Sequence, residues 1–302
     1  MNKNKQLSPK PFLKWAGGKT QLIGSIAKIF PYSKNDKFIY VEPFVGSGAV
    51  LFWVLSNFPN LKSAVINDIN IELINTYKTI SENVEELIVL LKKWESEYHL
   101  LSDNGEKKSE YYYRKRKLFN SRSSKKLKQS ALFIFLNKTC FNGLYRVNRN
   151  NLFNVPIGSY KKPMICDEEN LRTVSRALEK VKILSGDFSK TIRYAENDTG
   201  FYLDPPYKPL NNTSSFNSYA KDVFNDEEQI RLKKFCDNLD KSKYRWILSN
   251  SDVRIEEDSF FDELYKCYKI TRVLARRSIN ANGSKRGQLN ELLIMNYESA
   301  RI

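Results

Sequence analysis

The chain has 302 residues, 41% hydrophobic and 13% aromatic, enough for one large domain or a catalytic domain with a sizeable insertion. Lys and Arg number 50 against 34 Asp and Glu, a formal net charge of +16, and a chain this basic is expected to meet a polyanion. Four widely spaced cysteines without a CxxC pair, and a single histidine, His99, argue against a zinc knuckle, a disulfide framework, His-rich metal sites and His-based triads.

The opening "MNKNKQLSPK" lacks the apolar stretch of a signal peptide, and no apolar run reaches the length of a membrane span, so a cytoplasmic protein is expected. Next comes "FLKWAGGKT", whose Gly18-Lys19-Thr20 looks like the tail of a phosphate-binding P-loop. A P-loop needs a further glycine five residues earlier, where this chain has Leu13. It also follows a strand and opens a helix, whereas this stretch precedes the first expected strand.

"KFIYVEPF" (37–44) reads as a buried strand, and "GSGAVLFWVLSN" as a glycine turn opening a helix. "SAVINDIN" (63–70) is a second strand, and "IELINTYKTI" and "VEELIVLLKKWESEY" are amphipathic helices. From Lys107 to Lys162 there are 15 Lys or Arg and one acid, Glu110, with Asn- and Gly-rich loops between 137 and 160. Tyr111, Tyr112, Tyr113, Phe119, Phe141, Tyr145, Phe153 and Tyr160 are interleaved with this charge. Basic groups neutralise phosphates and aromatic rings stack on bases, so the window reads as a nucleic-acid-binding segment. A helix that is merely solvated would mix charges of both signs.

"VKILSGDF" (181–188) and "GFYLDPPY" (200–207) are strands, "DEEQIRLKKFCDNL" a helix, and "YRWILSNSD" and "LNELLIMNY" the last strands. Arg272, Arg276, Arg277, Lys285 and Arg286 form a second basic cluster. Strands alternating with helices at both ends predict an α/β fold with a mostly parallel sheet, the basic middle being an insertion. Ligands of such sheets bind at the carboxyl ends of the strands, where Glu42 to Gly48, Asp68, Asp187 and Asp204 to Tyr207 are expected to gather.

Gly46-x-Gly48 is an incomplete dinucleotide fingerprint, because Leu51 stands at the third glycine. Asp68 follows Gly48 by 20 residues, the spacing of an acid that bonds a ribose hydroxyl. Together they suit a nucleoside-bearing cofactor and leave NAD and S-adenosylmethionine both open. In "DPPY" the prolines Pro205 and Pro206 remove two backbone donors, leaving the Asp204 carboxylate and the Pro205 carbonyl as a row of acceptors beside the flat ring of Tyr207. Two acceptors bonding the hydrogens of an adenine amine would pull its nitrogen toward a tetrahedral shape and free the lone pair to attack a methyl group.

"KWAGGK", "EPFVGSGAV", "NDIN", "GDF" and "DPPY", in this order, resemble the Dam-type (DpnM-like) DNA adenine-N6 methyltransferases, the α group of amino methyltransferases. The resemblance runs from about Pro11 to Tyr297 and extends to "CFNGLYRVNRNNLFNVPIGSYKKP" and "RRSINANGSKRGQLNELLI". It implies a Rossmann-like S-adenosylmethionine-dependent methyltransferase sheet in 1–80 and 165–302, with a mostly helical DNA target-recognition domain inserted at 81–164. It implies cofactor contacts at Trp15, Lys19, Glu42, Phe44, Gly46, Gly48, Asp68, Asp187, Phe188 and Asp204. In that scheme Asp68 meets the ribose, Asp187 and Phe188 the cofactor's adenine, and Lys19 its carboxylate, under a lid formed with Gly17 and Gly18. Catalysis falls to Asp204, Pro205, Pro206 and Tyr207.

Leu144, Arg146, Asn148, Pro156 and Tyr160 align with family positions facing double-stranded DNA at 5'-GATC-3', Phe141 and Asn142 would fill the place where the adenine leaves the stack, and Lys14 is placed to reach a base or phosphate. Arg146 is suited to a guanine edge, Leu144 or Pro156 to a thymine methyl, and Phe141 to the gap left by an extruded base. Ser159 departs from family members that carry an arginine there, which leaves that phosphate contact either missing or supplied by Lys161 or Lys162. Two settings stay open, a modification methylase sharing its site with a cognate restriction endonuclease without a stable complex, or an orphan methylase in replication and repair; an adenine methylase of another DNA sequence, or one with an RNA target, is the nearest alternative. Monomer and dimer stay open too.

Overall fold

The computed structural model describes residues 7–15, 19–101, 105–207, 224–252, 259–276 and 288–298. Strands β1 (Ile39–Glu42), β2 (Ser63–Asp68), β3 (Val181–Ser185), β4 (Thr199–Leu203), β5 (Arg245–Ser251), β6 (Lys269–Arg276) and β7 (Gln288–Met295) form one sheet in the order β3-β2-β1-β4-β5-β7-β6. β2, β1, β4 and β5 are parallel, and β7 runs antiparallel between β5 and β6. The first five positions repeat the 3-2-1-4-5 order of the doubly wound fold. The protein is therefore mixed α/β with a Rossmann-like sheet. Its order reverses between β1 and β4, the switch point at which such sheets take their ligands.

The helices are α1 (Ile23–Ile29), α2 (Ala49–Asn57), α3 (Ile71–Glu82), α4 (Val84–Leu100), α5 (Gly105–Ser121), α6 (Lys126–Thr139), α7 (Glu168–Leu178), α8 (Asp226–Lys241) and α9 (Phe260–Leu264). The chain divides into two compact units. A helical unit comprises Met1–Gly18, Gly46–Ser56 and Asn70–Ser185, and a sheet unit comprises Lys19–Val45, Asn57–Ile69 and Gly186–Ile302.

In the sheet unit, every residue of β1 and β4 is buried, which is why "IYVE" and "TGFYL" are near-continuous apolar runs without alternation. α8 opens at Asn225, whose side chain accepts from the Glu228 amide at 3.0 Å, and three acids fill its first turn. β6, "KITRVLAR", is an element that the sequence reading passed over. Arg272, counted there in a basic cluster, instead pairs with Asp252 at 3.1 Å and Asp262 at 2.7 Å. Arg277, Lys285 and Arg286 of that cluster lie outside the described residues.

The helical unit is built around α6. From Gln129 to Thr139 every residue but Lys138 is buried, so the helix is enclosed on all sides and shows no polar face. It packs against α3, α4 and α5. The reading that loops begin at 137 is corrected by one turn, because Asn137 to Thr139 still belong to this helix.

The basic window also reads differently in three dimensions. α5 buries Lys108, Tyr111, Tyr112, Lys115 and Phe119 along one helical face. Tyr111, Tyr112, Phe119 and Phe153 are core residues and do not present rings to bases; Tyr113 and Phe141 are exposed. The Lys108 ammonium donates to the carbonyls of Tyr160 (2.7 Å) and Lys161 (2.6 Å), and Lys115 lies 3.6 Å over the Trp94 ring. Burial lowers the Lys115 pKa to about 8. Helix formation inside a basic run forces one face of it inward, and lysines on that face are accommodated by carbonyls and rings. His99, expected at the surface, is half-buried and its Nε2 bonds the Pro163 carbonyl at 2.9 Å.

Candidate functional site

In the sheet unit the carboxyl ends of β1, β2 and β4 carry Glu42, Asp68 and, one residue past β4, Asp204. Asn67, buried at the end of β2, staples the loops there. Its Nδ2 donates to the carbonyls of Pro43 (3.0 Å) and Gly186 (2.9 Å), while its own carbonyl accepts from the Val45 amide at 2.9 Å. The Gly186 amide in turn donates to the Asp68 carbonyl at 3.1 Å. The Asn of "NDIN" thus sets the positions of the loops that carry Phe44, Asp68 and Asp187. Glu42 is buried and accepts a 2.8 Å bond from Tyr40. Burial, with Glu42 beside it, pushes the Tyr40 phenol well above its ordinary range.

Asp204 is the centre of a compact polar group. Its Oδ1 accepts from Ser249 Oγ at 2.9 Å and lies 3.1 Å from the Lys19 ammonium. Ser249 is fully buried on β5 and shares a 3.0 Å bond with the Tyr202 hydroxyl. Lys19, only 4% exposed, also donates to the Tyr207 hydroxyl and stands 4.2 Å over the Tyr207 ring. Its third anionic or polar neighbour is Glu291 on β7, 3.6 Å away, which accepts from the Tyr207 hydroxyl at 2.8 Å. Burial raises the Asp204 pKa, and Lys19 opposes the rise. A carboxylate held this way is a strong, oriented hydrogen-bond acceptor.

Phe188 is buried beside Phe44, with ring centroids 5.2 Å apart. Asp187 caps the turn that starts at Phe188 by accepting from the Ser189 amide at 2.9 Å. Arg231 binds both Asp187 oxygens, at 3.1 and 2.8 Å, and places its guanidinium 4.2 Å over the Phe188 ring. Burial works against ionisation of Asp187, but the bonds from Arg231 and Ser189 outweigh it and hold the pKa at about 2. The Asp68 and Asp187 carboxylates, with the paired rings of Phe44 and Phe188, supply acceptors and aromatic faces of the kind that fit a nucleoside.

In the helical unit Trp15 stacks on Tyr145 at 5.7 Å, and a Cβ added to Gly46 would meet Trp15 at 3.2 Å. Gly48 has φ +75°, and a Cβ there would lie 2.6 Å from the Tyr77 hydroxyl, which itself donates to the Gly46 carbonyl at 3.0 Å. The glycine turn is therefore demanded by both backbone conformation and space. Gly17 and Gly18, the other part of the expected lid, lie outside the described residues.

The same unit brings the expected DNA-facing residues onto one loop system. Bridges Cys140–Ile157 and Val147–Phe153 hold it together. Phe141 (45% exposed), Arg146 and Pro156 are exposed. Asn142, with φ +53°, is half-buried, as are Leu144, Asn148 and Tyr160. Arg146 Nε donates to Asn154 at 2.8 Å, and Asn148 Oδ1 accepts from the amides of Asn150 and Leu152, both at 3.0 Å. Lys14 is exposed, with its ammonium 4.0 Å over the Tyr160 ring.

Residues 15–279 match the sequence model of the D12 class N6 adenine-specific DNA methyltransferase family. The chain belongs to that family. Type II methyltransferase M.MjaIII of Methanocaldococcus jannaschii is 49% identical over 95% of this chain and 99% of its own length. Type II methyltransferase M1.LlaDCHI of Lactococcus lactis subsp. cremoris is 38% identical over 98% of each chain. A DNA adenine methylase of Haemophilus influenzae is 38% identical over 96% of each. The protein is a D12 class adenine-N6 DNA methyltransferase, its substrate is DNA, and its methyl donor is S-adenosylmethionine. Among the described residues, no helix of this methyltransferase is long and apolar enough to cross a membrane.

Around the expected residues this D12 methyltransferase places others that sequence reasoning missed: Ser249 and Glu291 at Asp204 and Tyr207, Arg231 at Asp187, and Asn137 beneath Lys14. Each lies far along the chain from its partner, and its residue type is common. Asn67 and Glu291 carried a signal, since they stand inside the quoted "NDIN" and "RRSINANGSKRGQLNELLI".

Proposed function

We propose that this enzyme transfers a methyl group from S-adenosylmethionine to adenine N6 within double-stranded 5'-GATC-3', with Asp204, Pro205, Pro206 and Tyr207 as the transfer motif. The observation that carries the reading is the Asp204 carboxylate, fixed at the end of β4 by Ser249 and Lys19 beside the Tyr207 ring. The target adenine leaves the stack. Its amino hydrogens are accepted by the Asp204 carboxylate and the Pro205 carbonyl, and its plane is held by Tyr207. The adenine N6 lone pair attacks, the methyl–sulfur bond breaks with its electron pair going to sulfur, and the methylated N6 then releases one proton to water. The donor contributes an electrophilic methyl group. Asp68, Asp187 and Phe188 hold its adenosine part, and Trp15, Lys19, Glu42, Phe44, Gly46 and Gly48 complete its contacts.

Residues 81–164 act as the recognition domain in this reading. The GATC assignment rests on the run from Phe141 to Tyr160, in which Arg146, Leu144 and Pro156 have the chemistry for a guanine edge and a thymine methyl. Phe141, exposed at the tip of a turn, is suited to fill the vacated stack. The 49% identity to a Type II methyltransferase supports a role as the modification partner of a restriction endonuclease acting on the same site.

The experiment is methylation of plasmid DNA with S-adenosylmethionine, followed by a nuclease that cuts GATC only when its adenine is unmethylated. Protection is expected. Full cleavage after confirmed methyl incorporation excludes GATC. Asp204→Ala should reduce methylation to background while DNA binding persists.

A further inference from the structure

We infer that Glu291 is a positioning residue of the transfer centre, anchoring the Tyr207 hydroxyl and sharing the Lys19 ammonium with Asp204. The inference rests on the reading that Asp204 and Tyr207 act on the target adenine. Glu291 stands on β7, 87 residues beyond Asp204 in the chain, and β7 pairs with β5 so that Glu291 opposes Ser251, two residues from the Ser249 that holds Asp204. An antiparallel strand inserted into a parallel sheet thereby delivers a second carboxylate to the same ammonium.

The geometry gives Glu291 two tasks. A phenol attached by one Cα can swing about its side-chain torsions, and a ring meant to stack on a base loses alignment when it does. The 2.8 Å bond from the Tyr207 hydroxyl to Glu291 Oε2 fixes the far end of that ring. The second task is electrostatic. Lys19 lies 3.1 Å from Asp204 and 3.6 Å from Glu291, with 4% of its side chain exposed. One buried ammonium facing two carboxylates neutralises neither completely. Lys19 thus holds Asp204 and Glu291 around one ammonium and opposes the rise in the Asp204 pKa that burial and the Glu291 charge cause. Without the Glu291 charge the ammonium is held by Asp204 alone, and both Lys19 and the Tyr207 hydroxyl lose an anionic anchor.

The test is single-turnover methylation of a GATC duplex by the wild type, Glu291→Gln, Tyr207→Phe, the Glu291→Gln/Tyr207→Phe pair and Asp204→Ala. Dissociation constants for S-adenosylmethionine and DNA are measured on each. Glu291→Gln keeps size and an acceptor oxygen but no charge. It should slow the methyl-transfer step by roughly 10-fold or more, the loss of a charge-assisted hydrogen bond, with both dissociation constants within about twofold. In the Tyr207→Phe background the same substitution should cost much less, because the shared bond is already gone. Glu291→Asp, which restores the charge, should recover part of the rate. Full-rate transfer by Glu291→Gln, or a double variant whose loss is the product of the single losses, overturns the inference, and a loss of cofactor affinity without a slower transfer step does so too. These outcomes leave the transfer reading intact provided Asp204→Ala is inactive. An active Asp204→Ala instead removes that reading and this inference with it.

Discussion

Replacing Asn137 by Ala should separate a structural account of the recognition unit from a list of exposed side chains. Asn137 is 3% exposed near the end of α6. Its Oδ1 accepts from the Lys14 amide at 2.8 Å, and its Nδ2 donates to the carbonyls of Lys14 (2.7 Å) and Gly143 (2.9 Å). One side chain therefore ties the segment carrying Lys14 to the turn carrying Phe141 and Asn142. Space there is tight. Gly143 has φ +65°, and a Cβ on it would lie 2.5 Å from the Lys14 Cβ. A net contribution of about 0.5–1.5 kcal/mol for each of three hydrogen bonds predicts a destabilisation of about 1.5–4.5 kcal/mol for Asn137→Ala. The assay is urea unfolding of this variant and of Asn137→Asp. The aspartate should be no more stable than the alanine, since a buried carboxylate would face the Lys14 and Gly143 carbonyls. GATC duplex affinity should fall roughly 10-fold as the turn loses its preorganisation. A loss of stability below about 0.5 kcal/mol for Asn137→Ala, the scale of an ordinary surface change, would refute the reasoning.

Gly48→Ala should destabilise the helical unit by about 2–5 kcal/mol, combining a left-handed residue with overpacking against Tyr77, and near wild-type urea unfolding would contradict that. Arg231→Ala should return the Asp187 pKa from about 2 toward its usual 3.8, read by carboxyl-carbon NMR. Because a depressed carboxylate stabilises above its unfolded pKa and loses that contribution as pH falls through the folded value, the wild type should lose stability between about pH 4 and 2 and the variant should lose less. Lys19→Met removes the cation that opposes the burial-raised pKa of Asp204, so the acid limb of the kcat/KM profile should move to higher pH; a limb that stays or moves lower contradicts the pairing. DNA binding should weaken steeply with salt, as expected when several phosphates are neutralised, and a flat salt profile would remove the electrostatic reading of the basic window.

Much of this protein is legible in one dimension because its decisive features are local. The glycine turn at Gly46 and Gly48, the acid closing β2, and the prolines after β4 are contiguous patterns, and each lies where strand and helix periodicity puts it. Apolar runs such as "TGFYL" announce buried parallel strands, and the alternation of strands with helices announces the sheet. Composition was a weaker guide. The lysines and aromatics between 107 and 162 read as one DNA-binding surface, yet the fold of α5 turns Lys108, Tyr111, Tyr112, Lys115 and Phe119 inward. A count of charges carries no direction, whereas a helix has two faces. The sheet order was out of reach as well, since nothing in "LNELLIMNY" says that β7 slots antiparallel between β5 and β6. That placement is long-range, settled by which apolar faces pack together. It brings Glu291 to Tyr207 and Lys19, while the parallel pairing of β4 with β5 brings Ser249 to Asp204, joining residues separated by up to 272 positions through ion pairs and hydrogen bonds that no local pattern encodes.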